Sequence, residues 1–155
     1  MKYGRLIILL FAAFVVHGPI ANGCSCAEPQ SQKRVFNRSS AVFFGEVVDI
    51  NESDVPLFND NAQALSYAVT FKIIEFWKGV KGPEITVHSD MGGLSCNGFK
   101  FWKGERYLVY AQGKNLIVFT GCGRSAREDS TRFVSEYAGL GKGKRSKIRI
   151  DRSST

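Results

Sequence analysis

The residues of this chain best placed to do chemistry are its four cysteines. Two stand together in Gly23-Cys24-Ser25-Cys26-Ala27, and the others, Cys96 and Cys122, lie far downstream. Cysteines one residue apart do not bridge each other comfortably, because a disulfide needs its two Cβ atoms face to face at close range. Cys24 and Cys26 therefore each look to Cys96 or Cys122, which leaves two pairings open. Closing loops of about a hundred residues in this way would add on the order of 4 kcal/mol per bridge in the chain-entropy picture. A metal site fits poorly: no CxxC pair is present, and past residue 23 the single histidine is His88. A redox thiol fits no better, since the CxC spacing lacks the geometry and helix start that lower a thiol's pKa. His88 stands beside Ser89 and Asp90. Neighbours on a strand point to opposite faces, so these residues assemble no nucleophile and base, and the chain is not expected to be an enzyme. His88 reads as a surface histidine.

The cysteine pair follows a segment with the marks of a secretory leader. Lys2 and Arg5 precede the apolar run 6–16, Pro19 breaks it, and Ala21-Asn22-Gly23 supplies small residues for a signal peptidase. Eleven apolar residues fall short of the roughly 20 that cross a bilayer as a helix, so no transmembrane segment is expected in the mature chain. Cleavage after Gly23 would make Cys24 the first residue of a secreted protein. A lipoprotein signal, in which Cys24 is acylated, usually carries Leu where Ala21 stands.

The 132 residues from Cys24 onward suit one domain over 24–140 with a tail over 141–155. The net charge of +7 is uneven. Of 21 basic residues two lie in the leader and six in 141–155, which leaves 13 between Cys24 and Leu140 against 13 acidic ones. The tail is rich in Gly, Ser, Lys and Arg; it is expected to be disordered and, at most, to touch a polyanion by salt-sensitive contacts.

The elements that must position the cysteines follow in order. Residues 28–37 read as a short helix begun by Pro29. Residues 41–50, AVFFGEVVDI, read as a strand bent at Gly45, and 51–61 as a loop. In 65–77 Leu65, Tyr67, Val69, Phe71 and Ile73 alternate with smaller or polar residues, the period of a strand with one buried face. Strands are also expected over 84–88, 106–111 and 116–120, the last two joined by a hairpin at 112–115. The loop 89–98 carries Cys96. Ser125-Ala126-Arg127-Glu128 has the form of a capping box, predicting a helix to Ala138 that ends at Gly139 and shows Phe133, Val134 and Tyr137 on one face. Trp77, Trp102 and the many Phe residues read as core packing rather than a platform for stacking bases. Five antiparallel strands with minor helix predict an all-β domain, best closed as an OB-type Greek-key barrel, with a two-sheet sandwich as the next choice.

Cys24-Ser25-Cys26, Ala41-Val42-Phe43-Phe44-Gly45-Glu46-Val47 and Glu75-Phe76-Trp77-Lys78-Gly79 come first in a recognisable order. Cys96 with Phe99-Lys100-Phe101 follows, then Gly104-Glu105-Arg106-Tyr107-Leu108-Val109-Tyr110-Ala111 and Thr120-Gly121-Cys122-Gly123-Arg124-Ser125. In this order and spacing the chain from Cys24 to about Leu140 resembles the amino-terminal domain of the tissue inhibitors of metalloproteinases, in the wider netrin-like group of OB folds. The resemblance implies bridges of Cys24 with Cys96 and Cys26 with Cys122. It also implies inhibition of a zinc metalloprotease, with no cofactor of the chain's own. The α-amino group and carbonyl of Cys24 would chelate the enzyme's zinc, and Ser25 would enter its specificity pocket. Cys26 and Ala27 would continue the contact, flanked by Gly93, Leu94 and Ser95. An amine of pKa about 7.7–8.0 has a metal-binding neutral fraction near neutral pH, and stapling it in place lowers the cost of ordering it on binding. The chain departs from the animal domain in lacking its third disulfide and a cysteine-rich second domain, and in carrying Gly92-Gly93 in the loop. The alternative expectation is a non-inhibitory netrin-like module that binds a protein or a polyanion.

Overall fold

The computed structural model describes residues 30–57, 66–90, 100–119 and 123–145. They form a mostly antiparallel β structure with two short helices. In chain order these are α1 (Gln32–Arg38), β1 (Ala41–Ser53), β2 (Ser66–Lys78), β3 (Glu84–Ser89), β4 (Arg106–Ala111), β5 (Ala126–Arg127), α2 (Thr131–Leu140) and β6 (Lys144–Arg145). The sheet runs β3-β2-β1-β4-β5, with β6 beside β2.

β1 is the centre of this arrangement, pairing with β2 over its whole length and with β4 over its first half. Its bend falls where expected: the register with β2 shifts between Phe44 and Gly45, and a Cβ on Gly45 would lie 2.8 Å from the Lys72 carbonyl oxygen. The expected loop at 51–61 starts later than its composition suggested. Asn51, Glu52 and Ser53 continue the strand opposite Ala68, Tyr67 and Ser66, because ladder hydrogen bonds outweigh the turn preference of Asn and Ser.

Both faces at the start of β1 are buried, and this accounts for the unbroken apolar runs AVFF and YLVYA. Phe43 and Val109 are cross-strand partners facing the main core, where they pack with Phe71, Ile73, Val87, Phe101 and Tyr107. Val42, Leu108 and Tyr110 face the other way, under Val35, Phe36, Phe133, Tyr137 and Leu140 of the helices. In β2 the predicted alternation holds from Val69 to Ile73, where Val69, Phe71 and Ile73 are buried and Lys72 is exposed; at the start of the strand Ser66 is buried and Tyr67 only half-buried, and Leu65 lies outside the described residues.

The expected fifth strand at 116–120 is instead a single point of contact. Gly113 (φ 72°) and Leu116 (φ 49°) make the turn after β4, so Leu116 belongs to the turn. Ile117 then bridges Gln112 antiparallel and His88 parallel. Two hydrogen bonds hold the second bridge, His88 N–H to the Leu116 carbonyl (3.1 Å) and Val118 N–H to the His88 carbonyl (2.8 Å). Hydrogen-bonded neighbours thus run from β3 through β2, β1, β4 and Ile117 back to β3.

The helix starts differ from expectation. α1 begins after Ser31, whose hydroxyl accepts the Arg34 N–H (3.4 Å), while Pro29 lies outside the described residues. Ser125 does not cap a helix: it is buried, its hydroxyl accepts the Tyr110 N–H (3.0 Å), and the next two residues pair with β4 as β5. The cap is Ser130, accepting the Phe133 N–H (3.3 Å). α2 also runs through Gly139 and ends at Gly141 (φ 64°). Gly139 serves packing instead, since a Cβ there would collide with the Gln32 side-chain oxygen. Phe133 and Tyr137 do share a face and both pack on Phe44, with ring centroids at 5.2 and 5.6 Å. Val134, one position round the helix, is 69% exposed instead of joining them.

The start of the basic tail is also ordered. Trp77 donates its indole N–H to the Gly141 carbonyl (2.9 Å), and Gly143 donates its N–H to Glu75 Oε1 (2.7 Å). These contacts bring Lys144 and Arg145 into register with Phe76 and Glu75. Residues 146–155 lie outside the described residues. No helix among the described residues is long and apolar enough to cross a membrane.

Phe71 is fully buried, with Phe43 and Phe101 each at 5.3 Å and nearly edge-on. Phe71→Ala should destabilise the fold by about 3–5 kcal/mol, read from the urea midpoint, with Phe71→Leu costing clearly less.

Candidate functional site

The residues on which the sequence reading centred, Cys24, Ser25, Cys26, Ala27, Gly93, Leu94, Ser95, Cys96 and Cys122, all lie outside the described residues. The structure does show what holds the chain on either side of them.

Gln30, three residues after Ala27, is joined to Arg124, two residues after Cys122: the guanidinium Nε donates to the Gln30 carbonyl (2.8 Å). Arg38 donates to the Gln30 side-chain oxygen (3.2 Å) from the far end of α1. Beneath this contact lies Glu136, a carboxylate on α2 that is only 5% exposed. A buried charge survives only if it is paired and its remaining lone pairs are satisfied. Glu136 Oε1 pairs with Arg124 Nη1, and Oε2 accepts from the Tyr110 hydroxyl (3.3 Å) and the Gln32 amide (3.1 Å). The Gln32 amide also reaches the Glu136 backbone carbonyl (2.6 Å) and the Tyr110 oxygen (3.1 Å). Burial, countered in part by the Gln32 hydrogen bond and reinforced by the neighbouring Glu136, pushes the Tyr110 hydroxyl up to about 12. Tyr110 therefore stays a neutral donor through the whole ordinary pH range. Four chain segments, α1, β4, the stretch at Arg124 and α2, meet at one carboxylate.

The described residues on either side of 91–99 are anchored. Ser89 and Asp90 before it are buried. After it Phe101 enters the core, and the Tyr107 hydroxyl accepts the Trp102 N–H (3.1 Å) while reaching the Lys100 carbonyl (3.4 Å). The stretch after Cys122 is tied to α2 as well, because Arg132 donates to the Gly123 carbonyl (3.2 Å).

His88 is half-buried, and its Nδ1 lies 3.0 Å from the Ser53 hydroxyl, which also accepts the Val55 N–H (3.2 Å). Sequence reasoning, which took His88 for a surface histidine, missed this partner, because only the register of β1, β2 and β3 brings residues 53 and 88 together. Among the described residues no group of three or more His, Cys, Asp or Glu side chains could hold a metal ion.

Comparison of the chain with protein-family models finds none that matches, and comparison with curated proteins finds no match.

Two measurements test this geometry. Arg124→Ala leaves Glu136 buried without its cation and should cost about 2–3 kcal/mol in a denaturant titration, most of it recovered by adding Glu136→Gln. Burial lowers the His88 pKa below 6.5, so the unfolded chain takes up the proton first. The stability that neutral His88 contributes is complete above pH 6.5 and is lost as pH falls from there through the folded-state pKa. His88→Gln should flatten the pH dependence of the urea midpoint in that window.

Proposed function

We propose that the chain is a secreted, single-domain relative of the netrin-like inhibitors and that it inhibits zinc metalloendopeptidases through its processed amino terminus. In this reading Cys24 opens the mature protein, its α-amino nitrogen and carbonyl oxygen take the open coordination position of the enzyme's zinc, and Ser25 enters the adjoining pocket. Cys24 pairs with Cys96 and Cys26 with Cys122, and Gly93, Leu94 and Ser95 flank the bound terminus.

The observation that carries this reading is the Arg124 contact with the Gln30 carbonyl over buried Glu136. Gln30 stands four positions after Cys26, and Arg124 two positions after Cys122. At no more than about 3.6 Å per residue, the two cysteines lie within about 14 and 7 Å of chain from a shared anchor, in keeping with a bridge between them. With the proposed bridges closed beside this anchor, the chain end would lose little freedom on binding, which is what an inhibitor acting through a backbone amine requires. The fold offers separate support. The path of hydrogen-bonded neighbours that returns through Ile117 to β3 fits a small closed OB-type Greek-key barrel.

The test is inhibition of a panel of zinc endopeptidases by the secreted protein, after its amino-terminal residue has been identified and its disulfides counted by intact mass. Inhibition should fall at least a hundredfold when the α-amine is acetylated or one Ala precedes Cys24, with the melting temperature unchanged. Equal inhibition by the blocked forms would remove the mechanism.

A further inference from the structure

We infer that the end of the sheet where β1 begins and β2 finishes is a binding surface for a sulfated polysaccharide. Three segments distant in sequence meet there: 30–40 with α1, 76–83 with the end of β2 and its turn, and 141–145 with β6. Together they carry eight basic residues and no acidic one.

The contacts that join them are specific. Lys78, at the end of β2, donates to the Phe36 and Asn37 carbonyls at the end of α1 (3.1 and 3.0 Å), next to Arg38. Lys144 and Arg145 stand opposite Phe76 and Glu75 on the same strand. At about 3.3 Å per residue, Lys78 lies about 10 Å along β2 from Glu75, and α1 at about 1.5 Å per residue sets Lys33 about 8 Å from Arg38. The cations are thus spread along α1, the end of β2 and β6 as a basic row at one end of the sheet.

Glu75, in register with Arg145, and Glu84, next to 76–83, border the row, but neither carboxylate forms an ion pair among the described residues. Glu75 is engaged by the Tyr137 hydroxyl and the Gly143 N–H, and Glu136 is buried against Arg124. Among the described residues none of the eight cations forms an ion pair with an acidic side chain; the pairs present involve Lys103, Arg106, Arg124 and Arg127. Glu46 and Asp49 sit further along β1, where Arg106 (3.5 Å) and Lys103 (3.7 Å) take them up. A body with equal numbers of acidic and basic residues thus has one cationic end.

The absence of other features near the row selects the polyanion. Recognition of single-stranded nucleic acid uses exposed rings for stacking, which the row lacks among the described residues. Trp77 is committed to Gly141 and packs against Tyr137, and the exposed Trp102 stands near Val47, about 20 Å along β1. The anionic lipids that attract Lys and Arg without an apolar face line the cytoplasmic leaflet, out of reach of a chain read as secreted. A flexible chain bearing sulfates needs only a line of Lys and Arg, and its binding should be strongly salt-dependent.

The inference does not rest on protease inhibition. Binding of a heparin dodecasaccharide to the intact protein would be measured against salt, beside vesicles one-third phosphatidylserine and a single-stranded oligonucleotide. Lys142→Ser/Lys144→Ser/Arg145→Ser and Lys33→Gln/Arg34→Gln, neither touching the contacts of Lys78, should each weaken the dodecasaccharide at least tenfold. Each should also lower the salt slope by roughly one per charge removed, with an unchanged melting temperature. Deleting 146–155 should leave part of the binding in place, and acetylating the amino terminus should leave all of it. The proposal is overturned if deleting 146–155 abolishes binding while the surface variants retain it. It is equally overturned if vesicles or oligonucleotide bind more tightly than the dodecasaccharide.

Discussion

The buried carboxylate of Glu136 is the constraint to which much of this molecule answers. A charge taken out of water must find a cation and enough donors to replace its hydration. The groups that do so come from α1, β4 and the segment at Arg124. Arg124 in turn reaches the Gln30 carbonyl, so the cation that neutralises Glu136 also ties down the residue just before the cap of α1. Gly139 belongs to the same arrangement, because only a residue without a side chain lets Gln32 approach that turn of α2. The proposed role of the amino terminus depends on this anchoring, since a frayed end would not hold an amine where a metal could take it.

The second organising feature is that the first half of β1 is covered on both faces. Phe43 and Val47 look into the main core, and Val42 and Phe44 look out to the helices. The helices bury this outer face with aromatic rings, and they end on the polar contacts of Glu75, which accepts from Tyr137 and from the Gly143 amide. That hydrogen bond to Glu75, together with burial, pushes the Tyr137 hydroxyl up to about 12, so it remains a donor. The same glutamate brings β6 against β2 and with it the basic residues after α2. A packing requirement at the edge of β2 thereby concentrates charge at one end of the sheet.

Much of the strand layout was legible in the sequence because its cause is local. The alternation in β2, the β-branched and aromatic run of β4 and the bend at Gly45 each follow from side chains within a few residues of one another. The misreadings share a different cause. Ser125 and Ser130 each stand a few residues ahead of an apolar helical pattern, and only the unpaired edge of β4 decides that the first joins the sheet and the second caps α2. Asn51 to Ser53, Gly139 and Lys144 likewise take their conformation from residues outside their own segment: 66–68 of β2, Gln32 and Phe76.

The sequence by itself determined the all-β character with minor helix, the placing of four main strands, the neutral balance of 24–140 and the proximity of two cysteines to a leader-like segment. It did so because periodicity, turn residues and charge are properties of neighbouring residues. Only the tertiary structure decided that Glu136 is buried and answered by Arg124, that His88 meets Ser53, and that basic residues of α1, β2 and β6 share one end of the sheet. Strand register and helix docking set those distances, and both are fixed by packing between segments that the order of residues alone does not bring together.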